Sequence, residues 1–540
     1  MPEQRDADVI IVGCGVAGMT AAHRLAEAGI SVIALDAGPR VDRNEALRTY
    51  RSALVKNPES PFPNTKHAPY PTVLDTGADA YYVQDGPDLF KSTYLRLVGG
   101  TTWHWLGTAI RLLPSDFRLN TEFGVGVNWP ISYEDLEPWY VAAEAVLGVA
   151  GSGDLGSPRS AEYPMQPIPL SYSDLQITQA IAGLGHEVTI TAQARNTKEY
   201  DGRPACCGAA SCIPLCPIVA RYEAAVHVAK AEAVGVEIID NAVAHEIELD
   251  GDGLVSAIVA RRPGADTLRV TGRLYVLAAH AIETAKLLLM SRSDAVPEGV
   301  ANQSDQVGRN LMDHPIQLSW AVSGRALGQY RGPLSTAGID DTRALASRDA
   351  RAAFRVEFGN DGWTWPAGGP AQRVPTLLAA GLRGSALATA LAERSSRELR
   401  LSSMTEQLPD PSNRVVPDFD NLDSFGLPRP RITYSIDSYT RGGLTDARAV
   451  HGQIFAALEA DEIQHRDDFE GAGHVMGTYR MGADPAMSVV DVQLRAHQHP
   501  NLFMLGSGVF PTGGTANPTL TIVALALRAA ATIIDDLPNW

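Results

Sequence analysis

The sequence predicts an α/β fold organised around a Rossmann-like dinucleotide-binding unit, and three observations carry that prediction. The first is Asp8-Val-Ile-Ile-Val-Gly-Cys-Gly-Val-Ala-Gly18, an apolar run that breaks into glycines with G-x-G-x-x-G spacing. The second is the helical pattern that follows, Thr20-Ala-Ala-His-Arg-Leu-Ala-Glu-Ala28, which meets a glycine stop at Gly29. The third is another apolar run, Ser31-Val-Ile-Ala-Leu35, which ends in Asp36.

Each part has a physical reason. Residues 9–12 read as a buried parallel strand. Gly13 makes the tight turn, Gly15 lets backbone approach a pyrophosphate, and Gly18 lets the helix pack on the strand. The helix N-terminus presents free N–H groups and the positive end of its dipole to phosphates. Asp36 lies about twenty residues beyond the glycines, where an acid takes a ribose hydroxyl. A carboxylate there disfavours a 2′-phosphate and hence NADP. The fingerprint by itself does not choose between FAD and NAD.

Length and composition set the outer bounds. At 540 residues the chain exceeds one ordinary domain, and 45% apolar with 20% charged residues fits a soluble protein with a large core. The expected division is residues 1–316 mainly for dinucleotide binding, 317–470 mainly for an α+β substrate-binding domain, and 471–540 returning to the first. A net charge of −17 argues against nucleic acid or an anionic membrane surface as partner. The opening Met1-Pro-Glu-Gln-Arg-Asp-Ala-Asp8 is polar and predicts no secretory leader. No apolar run reaches a membrane span, so direct membrane insertion is not expected, and residues 520–534, which carry Arg528, read as a core helix.

Residues 39–95 show little periodicity but many prolines and aromatics, and are expected to be an excursion over the cofactor. Leu97-Val-Gly-Gly-Thr-Thr-Trp-His-Trp-Leu-Gly107 pairs Gly99 and Gly100 with Thr101 and with indoles around His104, a run suited to lie against a planar ring. Ser132 is expected to cap a helix running to about Leu147. Another helix is expected from Ala220 to Val234, with strands at 237–239, 243–249 and 254–260. The charged run Arg394 to Arg400 reads as a solvated face.

Four of the five cysteines crowd into Arg203-Pro-Ala-Cys-Cys-Gly-Ala-Ala-Ser-Cys-Ile-Pro-Leu-Cys-Pro217. Buried free thiols do not need such crowding, and disulfides this close would close tight, strained loops. Zinc would want a second Cys/His pair at finger spacing. Three thiolates at Cys207-x4-Cys212-x3-Cys216-Pro217 fit an iron–sulfur centre better.

The 97–107 run resembles the flavin-contacting segment of the glucose–methanol–choline (GMC) oxidoreductases, especially the catalytic subunits of bacterial FAD-dependent glucose, gluconate and fructose dehydrogenases, with pyranose oxidase as a neighbouring branch. Leu274 to Met290 resembles the second signature of that family. Val307-Gly-Arg-Asn-Leu-Met-Asp-His-Pro315 resembles a further segment near the cofactor, in which His314 reads as a structural histidine. The strings Gly473-His-Val-Met-Gly-Thr-Tyr-Arg-Met-Gly482 and Gly506 to Thr521 have the form of the family's two active-site strings.

The resemblance implies FAD as cofactor, with Ser507 as a further contact. It puts His474 in the place of the catalytic histidine and Asn517 where pyranose oxidases and bacterial dehydrogenases carry asparagine. In pyranose oxidases of fungi a histidine in the place of His104 carries the flavin covalently. Trp103 stands where those enzymes have threonine, and the alternative for His104 is packing beside the ring. The cysteine run resembles the loop that holds a [3Fe–4S] cluster in the dehydrogenase branch. That implies Cys207, Cys212 and Cys216 as ligands, with Cys206 beside them and Ala209-Ala210-Ser211 replacing asparagines.

The chemistry required is one base near neutrality for the hydroxyl proton and one donor for the developing alkoxide. His474 and Asn517 suit those roles. The expected function is therefore oxidation of a sugar or polyol hydroxyl, a glucose-like aldose first, with electrons leaving through the cluster. No C-x-x-C-H haem site exists in the chain, so a multihaem cytochrome c subunit is expected as acceptor. A small partner bearing an export signal would bring the chain to the periplasmic or cell-envelope side. Without such a partner it would remain cytoplasmic. The alternative is a pyranoside or glycoside oxidase that reduces oxygen to hydrogen peroxide, its cysteines holding no cluster.

Overall fold

A computed structural model of the protein describes residues 3–53, 61–72, 80–209, 211–264, 267–330, 332–360 and 370–540. At its centre is a five-stranded parallel sheet, ordered Leu502–Met504, Leu274–Leu277, Val9–Val12, Val32–Leu35, Glu237–Ile239. All-parallel strands need cover on both faces, which is why Val9, Ile10, Ile11, Val276 and Phe503 are fully buried. The helix Val16–Glu27 starts directly from Gly15, and Gly29, at φ +81°, ends its overhang.

The turn glycines are held to glycine by close packing. A Cβ on Gly13, at φ +108°, would stand 2.4 Å from the Ala278 carbonyl oxygen, and one on Gly18 would stand 2.0 Å from that of Gly13. On Gly15 a Cβ would meet no protein atom within 4 Å, since that face opens into a cavity.

A six-stranded sheet lies opposite, ordered Asp461–His465, Ile316–Val322, Glu398–Thr405, Phe354–Phe358, Ala337–Ile339, Val188–Ile190, with antiparallel pairing. Leu399, Leu401, Val356 and Phe358 turn one face onto the helix Ser438–Ala457, where Ala447, Ile454 and Phe455 complete a second core. Alternation sends Arg400, Ser402, Met404 and Glu357 to the other face. Leu318 pairs with Ser402 and Ile316 with Met404, so those four share that face.

Several expectations shift. Within 39–95, of which 54–60 and 73–79 lie outside the described residues, there is a helix, Arg43–Ser52, capped by Asp42, which accepts the Glu45 N–H at 2.9 Å. Its only buried residue is Ala46, so no apolar stripe announced it. The helix expected from Ala220 starts later, as Ala225–Ala233, because the preceding backbone is engaged elsewhere. Tyr222 N–H bonds the Ala194 carbonyl at 2.8 Å and Ala224 N–H bonds Thr102 Oγ1 at 2.8 Å. The Arg394 to Arg400 run is not a solvated face. Glu398 is buried under Arg373 and Arg394, Leu399 is in the core, and Arg400 lines the cavity. Ser132 caps Tyr133–Leu147 as expected, accepting the Asp135 N–H. Among the described residues no helix is long and apolar enough to cross a membrane.

Candidate active site

A cavity of about 750 Å³ is lined by residues of both sheets, among them Gly13, Gly15 and Asp36 of the glycine-turn unit and His474 and Asn517 of the two late strings. Gly100, Thr101, His104 and Ser507 line it as well. Gly18 and Gly99 do not line it but shape it. Gly18 packs under the turn, and Gly99 N–H donates to the Cys14 carbonyl at 2.9 Å, bringing the 97–107 run against the glycine turn. A Cβ on Gly100 would stand 3.0 Å from Gly15 Cα.

Asp36 accepts the N–H groups of Cys14 at 2.9 Å and Gly38 at 3.0 Å, and burial pushes its carboxyl up to about 6. Each oxygen keeps a lone pair for a ligand hydroxyl. His104 is held to a low value, about 4, by burial and then by Arg221. An open face over Gly15, a helix N-terminus with no side-chain cap and a cavity of this size fit a dinucleotide.

The two late strings come together there. His474 Nδ1 lies 2.9 Å from His314 Nδ1, and His474 Nε2 lies 3.3 Å from Asn517 Nδ2. The protons follow from the outermost bond. His314 Nε2 lies 2.9 Å from the Gly514 carbonyl oxygen, which can only accept, so Nε2 carries the His314 proton. His314 Nδ1 is therefore bare and accepts from His474 Nδ1–H. That leaves His474 Nε2 with its lone pair toward the cavity and the Asn517 amide. Asn517 Oδ1 is buried without a partner. Burial, and then His314, holds His474 well below its ordinary 6.5, and burial holds His314 at about 4, so both rings are neutral near pH 7.

Sequence reasoning gave His314 a structural part, and the fold makes it the immediate neighbour of His474. Asp313 was missed. It accepts the His474 N–H at 3.0 Å and the Ala472 N–H at 3.2 Å, and also takes the Ser92 hydroxyl, whose oxygen accepts the Gly473 N–H at 2.7 Å. Also missed were Glu357, Arg400, Ser402 and Met404 on the cavity wall. Only strand alternation across segments distant in sequence puts them there. A buried group of Arg96, Lys286 and Glu283, joined by Tyr81 and Tyr94, closes another part of the wall.

The cysteines make a separate, much smaller cavity, lined by Cys206, Cys207, Cys212 and Cys216 together with Arg195 and Arg221. All five cysteines are free thiols. Among the described residues no group of three or more His, Cys, Asp or Glu is gathered tightly enough for a single metal ion. Ile213 and Pro214 of the same loop line the large cavity, so the two sites share a wall.

Comparison with known proteins places this geometry. Residues 91–316 and 409–526 match the two GMC oxidoreductase family models, and residues 8–59 match an FAD binding domain. The chain is 38% identical to the fructose dehydrogenase large subunit of Gluconobacter japonicus over 99% of both chains. It is 30% identical to paromamine 6'-oxidase of Streptomyces fradiae, over 99% of this chain and 92% of that one. The fold is shared with a solved formate oxidase at TM-score 0.66 and 16% identity over 100% of both chains. It is shared also with pyridoxine 4-oxidase from Mesorbium loti at TM-score 0.63 and 18% identity, covering 97% of this chain and 99% of that one. The chain belongs to the GMC oxidoreductase family. It is an FAD-dependent oxidoreductase.

Proposed function

We propose that the chain oxidises a secondary or anomeric hydroxyl of a sugar or polyol and passes the electrons on through an iron–sulfur centre at Cys207, Cys212 and Cys216. The observation that carries the first half is the bare Nε2 of His474 facing a polar-lipped cavity beside Asn517. Residues 13–18, Asp36, 99–101, His104 and Ser507 would hold the FAD. Bound FAD supplies the hydride acceptor.

The rest falls to the chain's own side chains. His474 Nε2 takes the hydroxyl proton as the carbon loses hydride. The proton has somewhere stable to sit, because His474 Nδ1–H is already committed to His314. The Asn517 amide donates to the oxygen as it gains negative charge, exchanging its bond to His474 for one to substrate. Asp313 keeps the backbone of His474 from drifting. Glu357, Arg400 and Ser402 face the same space and offer charged and hydroxyl groups to the remaining substrate hydroxyls, while Leu318 and Met404 pack the carbon skeleton. The likeness to a fructose dehydrogenase large subunit supports a sugar substrate.

The second half rests on the donor set. Three thiols on one cavity beside guanidinium groups with unbonded N–H fit an anionic sulfur centre. Such a centre supplies one-electron transfer. A small export-signal subunit and a multihaem cytochrome c subunit are proposed as partners, on the periplasmic or cell-envelope side, supported by the relative's being a large subunit. The likeness to paromamine 6'-oxidase favours a second reading, an oxidase that returns electrons to oxygen.

The test is an absorption spectrum with iron and sulfide analysis on anaerobically purified protein, before and after adding fructose or glucose. Flavin bands over broad brown absorbance, with flavin bleached by sugar and about three irons per chain, are expected. Flavin without iron, with peroxide released in air, would establish the oxidase. Flavin that no sugar or polyol bleaches would overturn the substrate class.

A pH profile tests the base. Because His474 is held below the ordinary histidine range, it is already deprotonated at pH 6.5, and raising the pH further does not activate it. The acid limb of kcat/KM is expected below pH 6.5. A limb centred between pH 7 and 8 that persists in the residual activity of His474→Gln would place the titrating base elsewhere.

A further inference from the structure

Arg195 is fully buried and lines the cysteine cavity, yet no carboxylate pairs with it among the described residues. Its Nη2 donates to the Leu106 carbonyl at 3.2 Å and that of Leu334 at 3.3 Å. Nε and Nη1, both buried, have no partner. Arg221 lines the same cavity and is likewise fully buried. Its Nη1 and Nη2 hold the carbonyls of Thr102 and Trp103 at 2.8 and 2.7 Å, its Nε is unbonded, and its nearest carboxylate oxygen, on Glu223, is 3.7 Å away. An antiparallel bridge between the two arginines brings both to one side of the cysteine loop.

Desolvating a guanidinium is costly unless an opposite charge or a full set of hydrogen bonds compensates it. Clamping carbonyls accounts for three of the N–H-bearing nitrogens and leaves Nε of both residues and Nη1 of Arg195 without a partner. The cavity that both arginines line is also lined by Cys206, Cys207, Cys212 and Cys216. Thiol groups are neutral and poor acceptors, whereas thiolates and sulfides carry the charge that Arg195 lacks and that Arg221 meets only in the 3.7 Å contact to Glu223.

We infer that Arg195 and Arg221 are the counter-cations of an anionic sulfur centre on Cys207, Cys212 and Cys216, and that they raise its reduction potential. The inference rests on the cluster reading above. Its logic is electrostatic. Uptake of one electron makes the centre more negative by one charge, and fixed cations beside it in a low-dielectric pocket favour that state. The electron comes from flavin that substrate has reduced. Arg221 also spans to the 97–107 run on the wall of the large cavity, so one guanidinium touches the structure of both sites.

The test is an EPR-monitored potentiometric titration of the anaerobic holoenzyme, wild type against Arg195→Gln and Arg195→Lys, with iron, sulfide and flavin counted per chain. A more negative potential in Arg195→Gln, largely restored by Arg195→Lys at unchanged flavin content, is expected. Iron-replete Arg195→Gln with the wild-type potential would overturn the inference while leaving the cluster in place. If Arg195→Gln keeps flavin but loses iron, recovery of iron in Arg195→Lys supports the counter-charge, and equal loss in both overturns it. Should Arg195→Gln give no folded flavoprotein, Arg221→Gln against Arg221→Lys makes the same comparison, equal potentials overturning the inference. Wild-type protein without iron overturns the cluster reading, and this inference with it, before any variant is made.

Discussion

His474→Ala lowers kcat by roughly 100- to 10,000-fold, the usual contribution of a positioned general base, while FAD stays bound. The size follows from the site. His474 Nε2 is the one imidazole lone pair that the hydrogen-bond chain from Gly514 through His314 directs at the cavity. Among the described residues His314 is committed at both nitrogens, His280 Nδ1 accepts the Ile282 N–H in the cap of helix Ala281–Met290, and His104 belongs to the 97–107 run. The loss should fall on kcat, with KM changing little, because the proton is transferred only in the transition state. Asn517→Ala is expected to cost less, since His474 keeps its tautomer without it. A His474→Ala enzyme that retains more than a tenth of wild-type kcat would remove His474 from the mechanism. Flavin content and the thermal transition, measured on the same sample, separate lost chemistry from lost structure.

Gly13→Ala and Gly15→Ala both weaken flavin binding strongly, for different reasons. At Gly13 the added Cβ would sit 2.4 Å from the Ala278 carbonyl oxygen in a backbone at φ +108°. Neither the neighbouring strand end nor the turn can yield without breaking sheet pairing between Val9–Val12 and Leu274–Leu277. Overpacking of this kind costs about 1–3 kcal/mol or more, and left-handed strain adds to it. Gly13→Ala should therefore lower the melting temperature of flavin-free protein as well. At Gly15 the Cβ meets no protein atom within 4 Å. Gly15→Ala apoprotein should melt as wild type does, yet bind FAD far more weakly, because the methyl occupies the space of the pyrophosphate. Flavin titration and melting of both apoproteins read this directly. Undiminished FAD affinity in Gly15→Ala would mean that the dinucleotide does not approach that turn.

Legibility in the sequence followed the range of the interactions. The glycine turn, the strands at 9–12 and 32–35 and the Ser132 cap rest on contacts among residues close in the chain, and they stand where their patterns put them. The helix Arg43–Ser52 escaped, although Asp42 and Glu45 carried a capping signature, because burying only Ala46 leaves no apolar period to read. The charged run ending in Arg400 was misread for the opposite reason. Its alternation is that of a strand with one face in the core and one on a ligand cavity, and charge on the cavity face looks the same in sequence as charge facing water.

Legible without the fold were the dinucleotide-binding turn, the family, and the residues that line the cavity from segments around 13, 100, 474 and 517. Glycine spacing and local strand and helix signals are properties of short stretches, so they survive without the fold. Only packing brings His314 against His474 to set its tautomer, Asp313 against its backbone, Glu357, Arg400 and Ser402 onto the cavity wall, and Arg195, with no carboxylate partner among the described residues, beside the cysteines together with Arg221. Each of these joins residues far apart in the chain through a hydrogen bond, a strand register or a shared desolvated pocket. Those energies exist only once the sheets have packed and water has left the space between them.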